Sequence, residues 1–192
     1  GESGILAGIR LAQAGLPYAS NVAVGIRDSG HPGYRLYSGQ HERQRVTECP
    51  VLTYSDWSIG AKQHLKSLTI LGASFGETRD LLEKARLAGI PLVVILTHPF
   101  EYVQNRDLAF SQVRRHSLAQ QRLTRLCEFL DENSDRFEAC GMVRAAKAGE
   151  ADNAANTLLD GTLTQTVRRM AAQVAYDKFG KFALNRQFGG AG

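Results

Sequence analysis

The sequence predicts an α/β domain, because two apolar runs frame one helix with clear boundary signals. Residues 91–102, PLVVILTHPFEY, begin with uninterrupted aliphatic side chains, which is typical of a strand covered on both faces. Residues 67–71, SLTIL, form the other apolar run, and the helix lies between the two. A crossover of this length joins parallel strands with a right-handed connection. We therefore expect parallel strands that alternate with helices.

Residues 1–15 predict a helix at the start of the chain. Ile5, Ile9 and Ala12 fall on one helical face, and Gly15 is a stop signal. A leading helix without a preceding strand is unusual for an α/β domain. We therefore expect that residue 1 is not the natural start.

The next part of the chain predicts short strands around a long loop. Residues 21–26 and 50–54 are short apolar runs that suit strands. Residues 25–45 are polar, rich in glycine and contain two histidines, which predicts a loop. Long loops in compact domains are often functional.

The helix between the two apolar runs has the clearest boundaries. Ser74 stands three residues before Glu77, the spacing of a capping box, and Gly89 followed by Pro91 ends the pattern. The residues expected to face the core are Leu81, Ala85 and Ala88.

The second half of the domain predicts one more helix and one more strand. The helix is expected around residues 119–130, and residues 139–143, ACGMV, are expected to form the strand after it. The apolar residues at helical spacing are Ala119, Leu123, Leu126 and Leu130.

A linker and a last helix follow. Residues 145–156 have the small, polar composition of an exposed linker. The last helix is expected to begin at Thr162, where Gln165 completes a second capping-box pattern, and to end at Gly180. The residues expected to face inward are Leu163, Val167, Met170 and Val174.

Length and composition fit one ordinary domain with its own core, since the chain has 192 residues, 43% of them hydrophobic and 22% charged. We predict a domain over residues 1–144, and a linker with a C-terminal helical extension over residues 145–192. No segment approaches the roughly 18 consecutive apolar residues of a membrane helix. The N-terminus also lacks a secretory signal, so we expect no membrane span and a cytoplasmic location.

The charge pattern bears on the class of partner, and the cysteine content bears on the redox compartment. The net charge is +4, and basic residues alternate with acidic ones along most of the chain, so no nucleic-acid partner is expected. Basic residues predominate only near the C-terminus, where a solvated helix face is the commoner explanation. Three widely spaced cysteines favour buried thiols in a reducing compartment over disulfides.

His98 is the best candidate for chemistry, because only Thr97 separates it from the aliphatic run of residues 92–96. An imidazole can give or take a proton near neutral pH, and α/β folds place their chemistry at the carboxyl ends of strands. Pro99 fixes the backbone behind it, Phe100 offers an apolar wall and Glu101 offers a carboxylate partner. The structural alternative is a histidine that caps a core strand.

The other candidates carry less weight. His31 and His41 lie in the long loop, and no HxH or HxxxH pair occurs, so a self-contained zinc site is not expected. Trp57, directly after Asp56, offers an aromatic wall for a sugar ring; its alternative is a tryptophan that covers the end of a sheet. The chain has no GxSxG, GxGxxG or phosphate-loop motif.

These features, in this order, resemble the NodB-type polysaccharide deacetylases of carbohydrate esterase family four, in the variants encoded with bacterial exopolysaccharide clusters. The matching text is ILGASFGETRDLLEKARLAGIPLVVILTHPFEY at residues 70–102 and RRHSLAQQRLTRLCEFLDENSDRFEACGM at residues 114–142. LTH at residues 96–98 stands where the family has a leucine-x-histidine motif, and ECP at residues 48–50 is similar to its glutamate-x-proline stretch. The resemblance covers residues 1–143.

The resemblance implies part of a distorted (β/α) barrel and a divalent metal, with zinc the first choice. It also implies removal of N-acetyl groups from a carbohydrate polymer of the bacterial cell envelope. His98 would be the general acid, and Phe100 would wall the acetyl pocket. Glu101 and Trp57 are the other residues expected to contact the polymer.

Two departures from the family matter. Its aspartate-rich first motif and paired-histidine second motif, which supply the base and the metal ligands, do not occur in this chain. In family order they come before residue 1, so no metal ligand is assigned here, and an upstream segment or a second chain is expected to complete the barrel. The Asp56-Trp57 pair is similar to an aspartate-tryptophan motif of the family but stands on a different strand.

Three functions therefore compete. The first is the general-acid half of a metal-dependent polysaccharide deacetylase, inactive without its metal-binding half. The alternative is a non-catalytic carbohydrate-binding or assembly protein that keeps the second half of the barrel. The third is an interaction module that works through the basic C-terminal helix.

Overall fold

The computed structural model describes residues 13–43, 45–59, 62–105, 111, 113–148 and 156–188. The described strands are β1 (Tyr18–Ala19), β2 (His41–Arg43), β3 (Val46–Glu48), β4 (Thr53–Ile59), β5 (Lys62–Ser67), β6 (Val103–Asn105), β7 (Val113–Arg115) and β8 (Leu159–Asp160). The α-helices are α1 (Phe75–Leu87), α2 (Ser117–Glu132), α3 (Met142–Ala148) and α4 (Leu163–Phe188). Short 3-10 helices lie at Pro32–Tyr34 and Pro99–Tyr102. The predicted N-terminal helix lies largely outside the described residues.

The strands form small sheets. One sheet has the order β1-β3-β2, the second has the order β5-β4-β8, and β6 pairs with β7. β4 is antiparallel to β5 and parallel to β8. The predicted combination of strands and helices is confirmed. The described residues form no closed barrel, so the barrel assignment stays a prediction.

The two apolar runs beside α1 are parallel neighbours, as predicted. Thr69 bridges Leu96 in parallel, and the Leu96 N–H donates to the Leu68 carbonyl over 3.0 Å. Val51 forms a second parallel bridge with Val94. The expected burial on both faces is wrong for this run, because Leu96 is 40% exposed. Residues 91–96 pair with their neighbours only through these isolated bridges and form no continuous strand, so part of the run stays exposed.

Helix α1 is anchored by the predicted capping box. The Ser74 hydroxyl accepts from the Glu77 N–H, and the Glu77 carboxylate accepts from the Ser74 N–H over 2.7 Å. The helix ends before Gly89, whose φ of +69° suits glycine. Leu81 and Ala85 of α1 enter a core with side chains of β4 and β8.

Replacing Ser74 with alanine is expected to lower the free energy of unfolding by about 0.5–2 kcal/mol, because one orphan N–H of α1 loses its acceptor. Urea unfolding curves of the variant and the native chain measure this difference. Ser134→Ala, at an exposed position in a turn after α2, is the control and should stay within about 0.5 kcal/mol. Equal losses in the two variants would contradict the capping role.

Helix α2 is confirmed, and it packs on α1 through a second cluster that includes Leu82, Leu126 and Phe129. The strand predicted for residues 139–143 is wrong, because α3 begins at Met142 and residues 139–141 have no regular structure. The residues after Met142 include alanine, arginine and lysine, which favour a helix over a strand, so this segment becomes the start of α3.

Helix α4 departs most from expectation. It starts where predicted but continues past Gly180, so the predicted stop is wrong. The predicted inward face is also wrong: Leu163, Val167, Met170 and Val174 are 66%, 58%, 57% and 53% exposed. The face of α4 that carries Thr166 and Arg169 is buried instead. These two side chains donate hydrogen bonds to the buried carboxylates of Asp56 and Glu77. Gln165, expected to complete a cap, donates to Asp80.

Three smaller predictions have mixed outcomes. All three cysteines are unpaired thiols, but only Cys49 is buried, so burial was wrongly expected for Cys127 and Cys140. Residues 149–155 of the predicted linker lie outside the described residues, and the linker prediction is wrong for residues 145–148, which belong to α3. In the part of the chain that the structure describes, no helix is long and apolar enough to cross a membrane.

Candidate functional site

His98 lies on the surface, two residues after the Leu96 bridge. It is the N-cap of the 3-10 helix Pro99–Tyr102, and its Nδ1 accepts from the Phe100 N–H over 3.3 Å. The imidazole stacks on the Phe100 ring with centroids 5.0 Å apart. The proline at the first helical position sets the backbone for this turn. The structure therefore brings His98 and Phe100 together.

The cap determines which nitrogen carries the proton of a neutral ring. Because Nδ1 accepts a hydrogen bond, the proton of the neutral imidazole lies on Nε2. No hydrogen bond or ion pair in the described residues engages Nε2. The neutral ring can therefore donate an Nε2–H hydrogen bond to a bound molecule. Transfer of a proton requires the imidazolium, in which Nδ1 also carries a proton and no longer accepts from the Phe100 N–H.

The predicted carboxylate partner sits in the same turn. The Thr97 hydroxyl lies 3.5 Å from a Glu101 carboxylate oxygen and 2.5 Å from the Tyr102 hydroxyl. The Glu101 N–H donates to the His98 carbonyl over 2.9 Å. These contacts hold the turn together, so Glu101 lies beside His98 along the backbone while its carboxylate is directed toward Thr97.

His31 makes the same cap in a different part of the chain. It too precedes a proline and a 3-10 helix, and its Nδ1 accepts from the Gly33 N–H over 3.2 Å. The cap alone is therefore a structural device. What distinguishes His98 is its position after a segment that pairs in parallel with its neighbours.

Trp57 lies in a separate group of contacts. Its ring stacks on His64, with centroids 5.4 Å apart and an angle of 8° between the planes. His64 Nδ1 in turn lies 3.5 Å from the buried carboxylate of Asp56. No hydrogen bond, ion pair or ring contact between described residues joins Trp57 to His98.

Asp56 belongs to a buried ion network that ties α4 to β4 and α1. The Arg169 guanidinium binds both Asp56 oxygens, at 2.8 and 3.1 Å, and the Glu77 carboxylate at 2.5 Å. The Thr166 hydroxyl donates to Asp56 over 2.8 Å. Arg169 is only 8% exposed, so solvent screens these contacts little. The Glu77 that caps α1 therefore also holds the C-terminal helix.

The network changes the acidity of its members. Burial by itself would raise the pKa of Asp56, but hydrogen bonds from Arg169 and Thr166 outweigh burial and hold that pKa below its ordinary value. Burial and the nearby Arg169 charge lower the pKa of Lys66. Burial and the neighbouring Glu77 charge raise the pKa of Tyr54, whose hydroxyl has no hydrogen-bond partner among the described residues. Asp56 is therefore an ionised carboxylate at neutral pH.

Sequence reasoning missed this network. Asp56 and Glu77 lie 113 and 92 residues from Arg169 along the chain, so no local pattern connects them. The basic residues near the C-terminus, Arg169 among them, were expected on a solvated helix face, and this is wrong for Arg169 because it is buried. A buried arginine becomes visible only when tertiary contacts supply its carboxylates.

Glu48, in the ECP stretch, has a structural role. Its carboxylate accepts from the backbone N–H groups of Asn21 and Val22, at 2.6 and 3.0 Å. Burial raises the pKa of Glu48, and these two hydrogen bonds counteract part of that effect. It ties the segment after β1 to β3.

The histidines do not gather into a metal site. His41 is buried beside the Ser38 carbonyl, at 2.7 Å, while His116 caps α2 and stacks on Tyr176. Over the described ranges, no group of three or more histidine, cysteine, aspartate or glutamate side chains is arranged to hold a metal ion. The described residues therefore do not by themselves fit the divalent metal that the resemblance implies.

The chain matches no protein-family model, no curated protein and no solved structure.

Proposed function

We propose that this chain carries the general-acid half of a metal-dependent hydrolase that removes N-acetyl groups from a polysaccharide. The observation that carries the proposal is the exposed His98 after the parallel-paired segment, with Nε2 directed away from its cap. The LTH text at residues 96–98, and its resemblance to the deacetylase motif, support the same role.

The chemistry assigned to His98 follows from the bond that must break. An amide nitrogen leaves poorly as an anion, so hydrolysis needs a proton delivered to that nitrogen. In the proposed role, the imidazolium form of His98 would deliver that proton from Nε2, with Nδ1 protonated and released from its cap, and would end as the neutral ring. Phe100, 60% exposed, offers an apolar surface beside it for the methyl group of an acetyl substituent.

The polymer and the metal remain parts of the proposal. Because the described residues do not form a metal-binding group, the ligands would come from the segment expected before residue 1, or from a second chain. That segment would also supply the general base. The cell-envelope polysaccharide pathway is the proposed setting.

A non-catalytic carbohydrate-binding or assembly protein is the second candidate. The observation that favours it is the same cap at His31, because a cap that recurs at a second His-Pro site is explained by the local turn alone. The first candidate predicts release of acetate from the polymer once the metal-binding half is present, and the second predicts binding of the polymer without release.

Residues 1–192 alone are expected neither to bind zinc with sub-micromolar affinity nor to deacetylate an N-acetylglucosamine polymer. A catalytic zinc needs about three protein ligands and an open position. Calorimetric titration with zinc and an acetate-release assay measure the two properties. Addition of the upstream segment, fused or as a separate chain, should restore both.

Two outcomes decide between the candidates. Polymer binding without acetate release after the upstream segment is added would favour the non-catalytic protein. Sub-micromolar zinc binding together with turnover by residues 1–192 would overturn the division into two halves.

A further inference from the structure

A cavity of about 480 Å³ lies between the end of β4 and the start of α4. We call it the β4–α4 cavity. Its volume is in the range of small-molecule sites. The lining residues that matter below are Trp57, Ser58, Asp160, Leu163, Val167 and Met170.

The cavity lies at the carboxyl ends of two parallel strands. Tyr54 pairs with Leu159 and Ser55 with Asp160, so β4 and β8 end on the same side. The next residue, Gly161, packs against β4: its N–H donates to the Ser55 carbonyl over 2.7 Å, and an added Cβ would lie 3.0 Å from that oxygen. Crevices outside the carboxyl ends of parallel strands are where α/β folds bind ligands.

Two apolar walls face this space. Trp57 stacks on His64 with one face, so the surface it offers to the cavity is the rest of its ring. Leu163, Val167 and Met170 of α4 line the same cavity. The apolar stripe of α4 is thus exposed along a cavity with an aromatic side chain. Such a space suits a ligand with a flat apolar face.

The floor of the cavity favours a neutral ligand. Asp56 is the charged residue of this floor, and the Arg169 guanidinium behind it binds both of its oxygens, over 2.8 and 3.1 Å. Both Asp56 oxygens already accept hydrogen bonds. The Asp56 carboxylate is therefore compensated and attracts no charged ligand, while the Ser58 hydroxyl and the exposed Asp160 carboxylate can accept hydrogen bonds from the hydroxyl groups of a ligand.

We infer that the β4–α4 cavity binds one pyranose ring of a neutral polysaccharide, with its apolar face between Trp57 and the Leu163–Val167–Met170 side of α4. The choice of a saccharide over another neutral flat ligand rests on the proposed function. The C-terminal helix therefore completes a sugar subsite that is separate from the contacts around His98.

Trp57 is the single tryptophan of the chain, so its fluorescence reports on this site alone. Titration of residues 1–192 with the soluble tetramer of N-acetylglucosamine should change the Trp57 emission in a saturable way. Val167→Asp places a charge in the apolar wall and should weaken binding at least about tenfold. The absence of a saturable change with the native chain would overturn the inference.

Val174→Asp is the matched control. Val174 is the same residue type on the same stripe, 53% exposed against 58% for Val167, but it does not line the cavity. It should bind the tetramer within about twofold of the native chain. Equal weakening by Val174→Asp would show that the stripe acts as one surface, and would overturn the assignment to the cavity.

A third variant separates this inference from the proposed function. His98→Ala should leave the Trp57 titration unchanged while removing turnover in an active preparation. Turnover with no Trp57 response would defeat the cavity inference alone. A Trp57 response with native turnover in His98→Ala would support the cavity and defeat the proposed catalytic role.

Discussion

Replacing Arg169 with leucine is expected to lower the free energy of unfolding by about 3–5 kcal/mol, the usual consequence of removing one partner from a buried ion network. The substitution leaves Asp56 and Glu77 buried without the guanidinium that binds both of them. It also releases the attachment of α4 to β4 and α1. Urea unfolding measured at neutral pH gives the size of the effect.

The neighbouring arginine provides the control. Arg168 is exposed on the same helix, so Arg168→Leu removes the same charge from the chain without breaking a buried contact. It should change stability by less than about 0.5 kcal/mol. A small effect of Arg169→Leu, similar to that of Arg168→Leu, would mean that solvent reaches the network.

The effect of Arg169→Leu should depend on pH. In the native chain the pKa of Asp56 lies below its ordinary value. The network therefore stabilises the fold above the ordinary pKa of aspartate, and this stabilisation is lost as the pH falls through the lowered value. Without Arg169, burial disfavours the charged carboxylate, and acidification relieves that penalty. The stability difference between variant and native chain should therefore shrink at acidic pH.

Replacing His98 with alanine is expected to lower turnover by about 10² to 10⁴, the usual contribution of general acid catalysis. Turnover must be measured in a preparation to which the metal-binding half required by the proposed function has been added. The folded fraction should change little, because His98 is exposed and its cap belongs to a short surface turn. Acetate release and circular dichroism, measured on the same samples, separate the two effects.

Two variants control for the cap. His98→Asn keeps a side-chain acceptor for the Phe100 N–H but has no titratable ring, so it should lose as much turnover as His98→Ala. His31→Ala removes the equivalent cap at the other His-Pro site and should leave turnover intact. Native turnover in His98→Asn would assign His98 to capping alone.

Local patterns were sufficient for the elements that short-range contacts decide. The capping box of Ser74 and Glu77 correctly placed the start of α1, because its two hydrogen bonds join residues three apart. The parallel relation of the runs beside α1 was also predictable, since a connection that contains a helix of this length typically joins parallel strands. The position of His98 after such a run follows from the same reasoning.

Helical periodicity failed where two faces of one helix compete for the core. The spacing of Leu163, Val167, Met170 and Val174 predicted the buried face of α4, yet those side chains are exposed and Arg169 is buried. The stripe is hydrophobic, but the surface against which α4 packs contains the two carboxylates of Asp56 and Glu77. An ion network among distant residues outweighed the local pattern.

The sequence by itself determined the α1 unit, the α2 helix and the placement of His98 at the end of a parallel-paired segment. Tertiary structure alone decided the orientation of α4, the Asp56–Glu77–Arg169 network and the cavity beside Trp57. The physical reason is the range of the interactions. Caps, turns and helical periodicity act over a few residues and are visible in the text of the chain, whereas a buried arginine is stable only where distant carboxylates compensate its charge.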